Sequence, residues 1–342
     1  MENSFGNRFK VTIYGESHAP EVGVKIEGVP KSIALNINQL HKMLKRRKEG
    51  ELPELSSIAT TPRKETDTPI VLSGLSKSSN SIALTTGDPI AVEFKNENVR
   101  PADYEQFKDM PRPSHADFVN AVKYGKAQSG GGISSGRMTL PLVAAGWVAI
   151  SALNKELSQK GLHSIEIKAR ITSIYGESNK EKWPEILKRA SEEKDSVGAV
   201  IECTVTNLPA GIGEPFFNSL ESILSHLILS IPGVKGIEFG NGFKAATLKG
   251  SQNNDPFVDA KGTTKTNNSG GINGGISNGN PLIFRVAVKP TSSIGAPQKT
   301  FNFKTGKMET LTIGGRHDVC FALRVPPIVE AVTAIAIYTE IS

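Results

Sequence analysis

The chain of 342 residues is 38% hydrophobic, 22% charged and 6% aromatic, which excludes a disordered or low-complexity polypeptide and allows a sizeable core in one large domain or two. Lys and Arg outnumber Asp and Glu by 40 to 34, a net charge of +6, and that balance suits nucleic acid or a small polyanionic substrate equally well. Cys203 and Cys320, the two cysteines, are too few for a disulfide framework and lack metal-ligand spacing, so both read as buried thiols in a reducing compartment.

The opening "MENSFGNRFKV" is mixed in polarity from the start and carries no secretory signal pattern. Apolar patterning then predicts strands at 9–14 and 22–28, and a helix at 37–48 with Leu40, Met43 and Leu44 on one face. A strand follows at 69–73, and a glycine-rich tract at 130–136 reads as a loop. The most apolar stretch, "LPLVAAGWVAISAL" at 140–153, falls short of the roughly 20 residues a membrane span needs. With Pro141 near its first turn and Gly161 beyond its end it predicts a buried helix. Strands are predicted at 164–174, 197–206, 234–239 and 282–288, with a helix at 216–229 presenting Leu220, Ile223, Leu224 and Leu227. A second glycine-rich tract lies at 270–279, and a last helix starts behind Pro326–Pro327. The expected location is cytoplasmic, away from any membrane.

Two internal similarities stand out. "VGVKIE" at 22–27 resembles "VGAVIE" at 197–202, and each is followed by a Pro and Ile and then by an amphipathic helix. A repeat of this kind predicts two similar halves around one core, about 1–175 and 176–342, within a single domain spanning 1–342. "IYGESH" at 13–18 and "IYGESN" at 174–179 also match, but out of register with the strand repeat. If the turns are related, the imidazole of His18 is not needed to build one.

"GISSG" at 132–136 and "GISNG" at 275–279 both fit the G-x-S-x-G nucleophile elbow. Neither follows a convincing strand-to-helix pattern, and Glu309 is the only carboxylate between Ser277 and His317. No Walker motif or strand–GxGxxG–helix unit occurs, so both tracts read as loops whose backbone N–H groups approach an anion or a flat ligand. His41, His163 and His226 sit in or beside predicted helices and read as structural. His18 in "GESH", His115 in "RPSHAD" and His317 in "GRHD" keep charged, turn-rich company, as acid–base groups near neutral pH require. Arginines beside the glycine-rich loops suit phosphate and carboxylate groups. A basic non-catalytic nucleotide- or RNA-binding protein is the alternative, although no aromatic-interleaved basic stripe is present.

These motifs together resemble the chorismate synthases. The matching stretches run in order: "GESH", "TTPRKE", "RPSHADF", "KYG", "SSGR", "GEPFF", "SIPGVKGIEFGNGF", "GSQNND", "GGINGGISNG", "KPTSSI" and "GRHDVC". The resemblance implies a carbon–oxygen lyase that converts 5-enolpyruvylshikimate-3-phosphate to chorismate and phosphate by 1,4-elimination. It implies an α+β fold, a β-α-β sandwich with sheets outside and helices between, in a homotetramer. Reduced FMN is the implied cofactor, with an external flavin reductase and NADPH only as an indirect reductant. A small-molecule substrate is implied, and no nucleic acid.

By the same resemblance His18 protonates the leaving phosphate, His115 donates a proton toward the reduced flavin, and Asp318 assists removal of the ring proton. Flavin contacts fall to Ser134, Ser135, Pro232, Gly233, Gly274, Lys289, Pro290, Thr291, Ser292, Ser293 and Arg316. Substrate anions fall to Ser17, Arg47, Arg63, Arg112, Arg137 and Arg324. No metal is implied. The chain departs from the family pattern at Ile133, where a flavin-contacting Arg is usual, and at Met138, where a carboxylate is usual. Ala19 and Ser114 stand where glycines are usual, and the loop after "KRRKEG" is longer.

Overall fold

The computed structural model describes residues 3–59, 65–77, 79–97, 101–125, 129–315 and 317–341. Arg63 and Arg316 lie outside the described residues.

In the first half, β1 (Ser4–Phe5) and β2 (Lys10–Gly15) lead into β3 (Glu21–Glu27), whose Val22, Val24 and Ile26 are fully buried. The short strand β4 (Ala34–Asn36) precedes α1 (Ile37–Glu49), capped by the Asn36 side chain, and α2 (Pro53–Ala59) follows. Then come β5 (Ile70–Ser73), β6 (Ile82–Leu84), β7 (Ile90–Lys95), α3 (Asp117–Tyr124) and the long α4 (Thr139–Gln159). The main sheet has the order β1-β2-β3-β7-β5, every pairing antiparallel.

The second half opens with β8 (Glu166–Ile174), α5 (Trp183–Glu192) and β9 (Ala199–Thr206), then α6 (Leu220–Ser230) and β10 (Val234–Phe239). A single turn α7 (Gly250–Asn253), the hairpin β11 (Ile272–Asn273) and β12 (Ile276–Ser277), and β13 (Leu282–Val288) follow. A second hairpin, β14 (Gln298–Asn302) and β15 (Lys307–Leu311), precedes α8 (Pro326–Ile341). The sheet of this half has the order β10-β13-β9-β8, again antiparallel throughout.

The two halves trace one circuit. Each starts with two paired strands (β2/β3, β8/β9), continues through a helix (α1, α6), adds two more strands with the later one innermost (β5/β7, β10/β13), and ends in a long helix (α4, α8). The long helices pack on each other, α4 against β3 and β7 and α8 against β8 and β9, so sheets enclose helices and one core runs through both halves. At the crossing, a Cβ on Gly146 would lie 2.4 Å from both Cα and Cβ of Ala331, and only glycine permits that approach. Gly136–Gln159 is, by length and composition, enough to cross a membrane, longer than the apolar stretch alone predicted because its polar last turns continue the helix; 78% of its most apolar window is buried inside the fold.

Both YGES copies occupy one place in the circuit, at the end of the first strand of a pair. Gly15 and Gly176 carry left-handed φ angles of 87° and 78°. The first copy turns straight into β3, whereas α5 intervenes before β9, and that insertion removes the register. Asn179 has a structural task, its side chain accepting from the Glu181 N–H at 3.1 Å to cap the turn at 180–182. The helix expected from 216 begins at Leu220, with Ser219 as its cap, because Phe216 (φ 63°) and Phe217 form a separate turn.

Candidate active site

Three consecutive glycines with left-handed φ angles, Gly130, Gly131 and Gly132, shape the loop that approaches the GESH turn. Ser17 ties the two together: its N–H donates to the Gly132 carbonyl and its Oγ to the Ser129 carbonyl, each at 3.2 Å. A Cβ on Gly130 would stand 2.3 Å from Nε2 of His18, and one on Gly131 3.3 Å from Cε1 of His115. The missing side chains thus let one loop hold both imidazoles at successive residues. His18 also packs against the ring of Tyr104, centroid to centroid 4.9 Å. Among the described residues the element before this loop is the helix α3, not a strand, so Ser134 does not stand on a strand-to-helix nucleophile elbow. Ser277 donates to the Pro209 carbonyl and accepts from the Ile212 N–H, a structural role.

His115 Nδ1 lies 2.7 Å from Asp117 Oδ1. Arg112 grips the same carboxylate through Nε (2.7 Å to Oδ2), Nη2 (2.8 Å to Oδ1) and its backbone N–H. Burial raises the Asp117 carboxyl, but donation from Arg112 and His115 outweighs it and holds the group well below the usual carboxylate range. The remaining Nη1 of Arg112 donates to Ser293 Oγ at 3.0 Å, and the guanidinium lies over the Phe107 ring at 4.5 Å. Arg112 is thus spent on protein partners, and contact with a substrate anion would require giving some of them up.

His115 opens into a cavity of about 650 Å³, a volume suited to a cofactor. Ile133, Leu229, Ile231, Pro232 and Phe321 give it an apolar wall; Ser134, Lys235, Lys289 and Ser292 give it a polar edge. Burial, then Lys235, lowers the pKa of Lys289. Its ammonium donates to the Ser114 carbonyl at 2.8 Å and to Ser292 Oγ at 2.6 Å. Ser114 has φ 56°, which accounts for the glycine usual at its place in the resemblance. Apolar wall and cationic edge fit a flat ring system carrying a phosphate.

A second cavity, about 950 Å³, is lined by Lys48, Lys194, Ser293, His317, Asp318 and Arg324 among others. Asp318 and Arg324 approach to 3.6 Å, and burial lowers the pKa of His317. Beside this cavity the Arg47 side chain, 10% exposed, donates to Thr139 Oγ1, the Gly136 carbonyl and Asp67. Arg137, 8% exposed, pairs with Asp67 and with Glu65 at 3.2 Å. Burial pushes the Arg47 guanidinium down to about 10; Asp67 and Asp318 oppose that effect, and Arg137 and Arg324 add to it. A bound anion would relieve this crowding of cations.

Ser17, His18, His115, Ser134 and Ser135 therefore gather at the glycine loop, Pro232, Gly233 and Lys289–Ser292 line the smaller cavity, and Ser293, Asp318 and Arg324 line the larger. Gly274 stands apart, at the exposed tip of the β11–β12 hairpin with nothing within 4 Å of a Cβ built there. Asp117, Asp67, Glu65 and Tyr104 were missed from sequence. Asp117 lay inside the quoted "RPSHAD", where a carboxylate two residues from a candidate imidazole was the available signal.

A chorismate synthase family model matches residues 9–341. A chorismate synthase of Chitinophaga pinensis is 48% identical over 98% of this chain and 95% of its own length. Those of Prochlorococcus marinus and Opitutus terrae are each 42% identical over 98% of this chain and 96% of their own. A crystal structure of chorismate synthase superposes with TM-score 0.69 at 24% identity, covering 98% of this chain and 92% of that one, which shows the fold.

Proposed function

The chain belongs to the chorismate synthase family, the lyases that form chorismate from 5-enolpyruvylshikimate-3-phosphate, and from that premise we propose that reduced FMN occupies the 650 Å³ cavity while substrate lies against the Arg47–Arg137–Arg324 cluster. The supporting observation is the glycine loop, whose consecutive Gly130 and Gly131 lie against His18 and His115 respectively, His115 also lining the smaller cavity. When bound, the reduced flavin supplies transient electron density that an unactivated C–H elimination needs and recovers it afterwards.

His18 gives its proton to the departing phosphate. His115, once protonated on both ring nitrogens, offers its Nε2 proton toward the flavin cavity while Nδ1 stays on Asp117, and Asp318 takes part in removing the ring proton. Ser134, Ser135, Pro232, Gly233 and Lys289–Ser292 hold the cofactor, the lysine meeting negative charge and the prolines and Phe321 the ring faces, whereas Ser293 lines the larger cavity and holds Arg112. Arg47, Arg137 and Arg324 hold substrate anions, with Ser17 at the phosphate end. Buried, inward-turned guanidiniums favour a small polyanion over nucleic acid, which would need them on an open stripe.

Gly274 joins the cofactor site in this reading only through assembly. Phe216, Phe217, Phe243 and Phe257 are 75–92% exposed, aromatic surface that supports the homotetramer. The recurring circuit supports one domain of two like halves. The flavin is reduced by an external enzyme, in the cytoplasm.

Ile133 tests the cavity assignment. It lines the cavity where a guanidinium would add a charge-assisted contact of about 1.5–3 kcal/mol, so Ile133→Arg should tighten oxidised FMN binding roughly 10-fold or more by calorimetric titration. Unchanged or weaker binding would place the cofactor elsewhere.

A further inference from the structure

We propose that Asp117 is a positioning residue for His115, fixing the imidazole so that Nδ1 is committed to the carboxylate and Nε2 faces the glycine loop and flavin cavity. The proposal rests on the reading of His115 as a proton donor. Oδ1 of Asp117 receives Nδ1 at 2.7 Å, and the carboxylate itself cannot turn, because Arg112 holds both oxygens and Ser293 and Phe107 hold Arg112. The side chain of Asp117 is 4% exposed and that of Arg112 5%, against 20% for His115. The rigid partner is thus buried while the imidazole edge reaches the cavity.

The carboxylate accepts on every side, from Arg112 Nε, Nη2 and N and from His115. Chemistry follows from that. A neutral His115 can meet it only with its proton on Nδ1, and a protonated one is stabilised by it; both leave Nε2 aimed at the cavity. An amide at this place has one acceptor and one donor group. If its oxygen stays on the Arg112 backbone side, its NH2 faces Nδ1 and selects the opposite tautomer.

The test combines a spectroscopic and a kinetic measurement. Histidine-selective 15N labelling of the cofactor-free protein, with His115→Ala to assign the signal, reads the tautomer of neutral His115. The expected state is Nδ1–H in the wild type, with a shift toward Nε2–H in Asp117→Asn. Steady-state turnover of Asp117→Asn should fall roughly 10- to 100-fold in kcat, and add no further loss in a His115→Ala background. An equal loss in both backgrounds would mean that Asp117 acts through the fold or through Arg112, and would overturn the proposal. An Nε2–H wild type would overturn it even if the variant fails to fold. Near-wild-type turnover in His115→Ala alone would overturn the proton-donor reading with it, whereas the tautomer judges the contact separately.

Discussion

At the scale of single residues, the two YGES turns separate building from chemistry. Asn179 caps a turn with its amide; His18 sits against Gly130 and Tyr104, where its ring has no capping task. An amide at 18 can still hydrogen-bond a phosphate but cannot release a proton at neutral pH. His18→Asn should therefore fold and bind substrate nearly as the wild type does, and lose roughly 10²–10⁴-fold in turnover at saturation. His41→Asn, on the exposed face of α1, should leave turnover almost unchanged. Near-wild-type turnover in His18→Asn would make the residue a positioning group. The candidate histidines and arginines were legible because their neighbours are charged and turn-forming. Which arginines are already spent was not, since Asp67 reaches Arg47 and Arg137 only after the chain has folded, and the five-residue spacing of Arg112 and Asp117 does not by itself pair them.

At the scale of elements, β2, β3, β8, β9, β10, β13, α1 and α6 follow from apolar patterning and α4 and α8 from apolar runs punctuated by proline or glycine, whereas α5, β7 and the β14–β15 hairpin were not read from the sequence. β3, β9 and β13 alternate or run apolar between polar turns, and α1 has one clear apolar face with Arg47 exceptionally buried beside it. α3 gave little signal, because its Phe118, Val119 and Val122 are exposed while Asp117 and Asn120 are buried, the reverse of a core helix. The α4–α8 crossing is where an element's position depends on one residue. At Gly146 any Cβ meets Ala331 backbone, and backbone cannot step aside as a side chain tip can. Gly146→Val should cost at least the roughly 1–3 kcal/mol typical of overpacking, read as a lower midpoint in urea unfolding. An unchanged midpoint would show that the two helices can slide apart freely.

At the scale of the whole molecule, the repeat was faintly visible as VGVKIE and VGAVIE, and the recurring sheet order makes plain what it encodes. The YGES pair escaped that register because α5 was inserted in one half only, which sequence spacing alone cannot distinguish from chance. Enclosing α4 and α8 between the sheets brings the glycine loop, the arginine cluster and the loop at Lys289–Ser293 together from distant segments. The function proposed for that assembly turns on reduced flavin. The most direct measurement is anaerobic release of phosphate from 5-enolpyruvylshikimate-3-phosphate by the purified protein, with FMN either chemically reduced or oxidised. Multiple turnovers with reduced FMN, the flavin remaining reduced throughout, and none with oxidised FMN are predicted. Equal release with oxidised FMN and no reductant, or stoichiometric consumption of the reduced flavin, would contradict it.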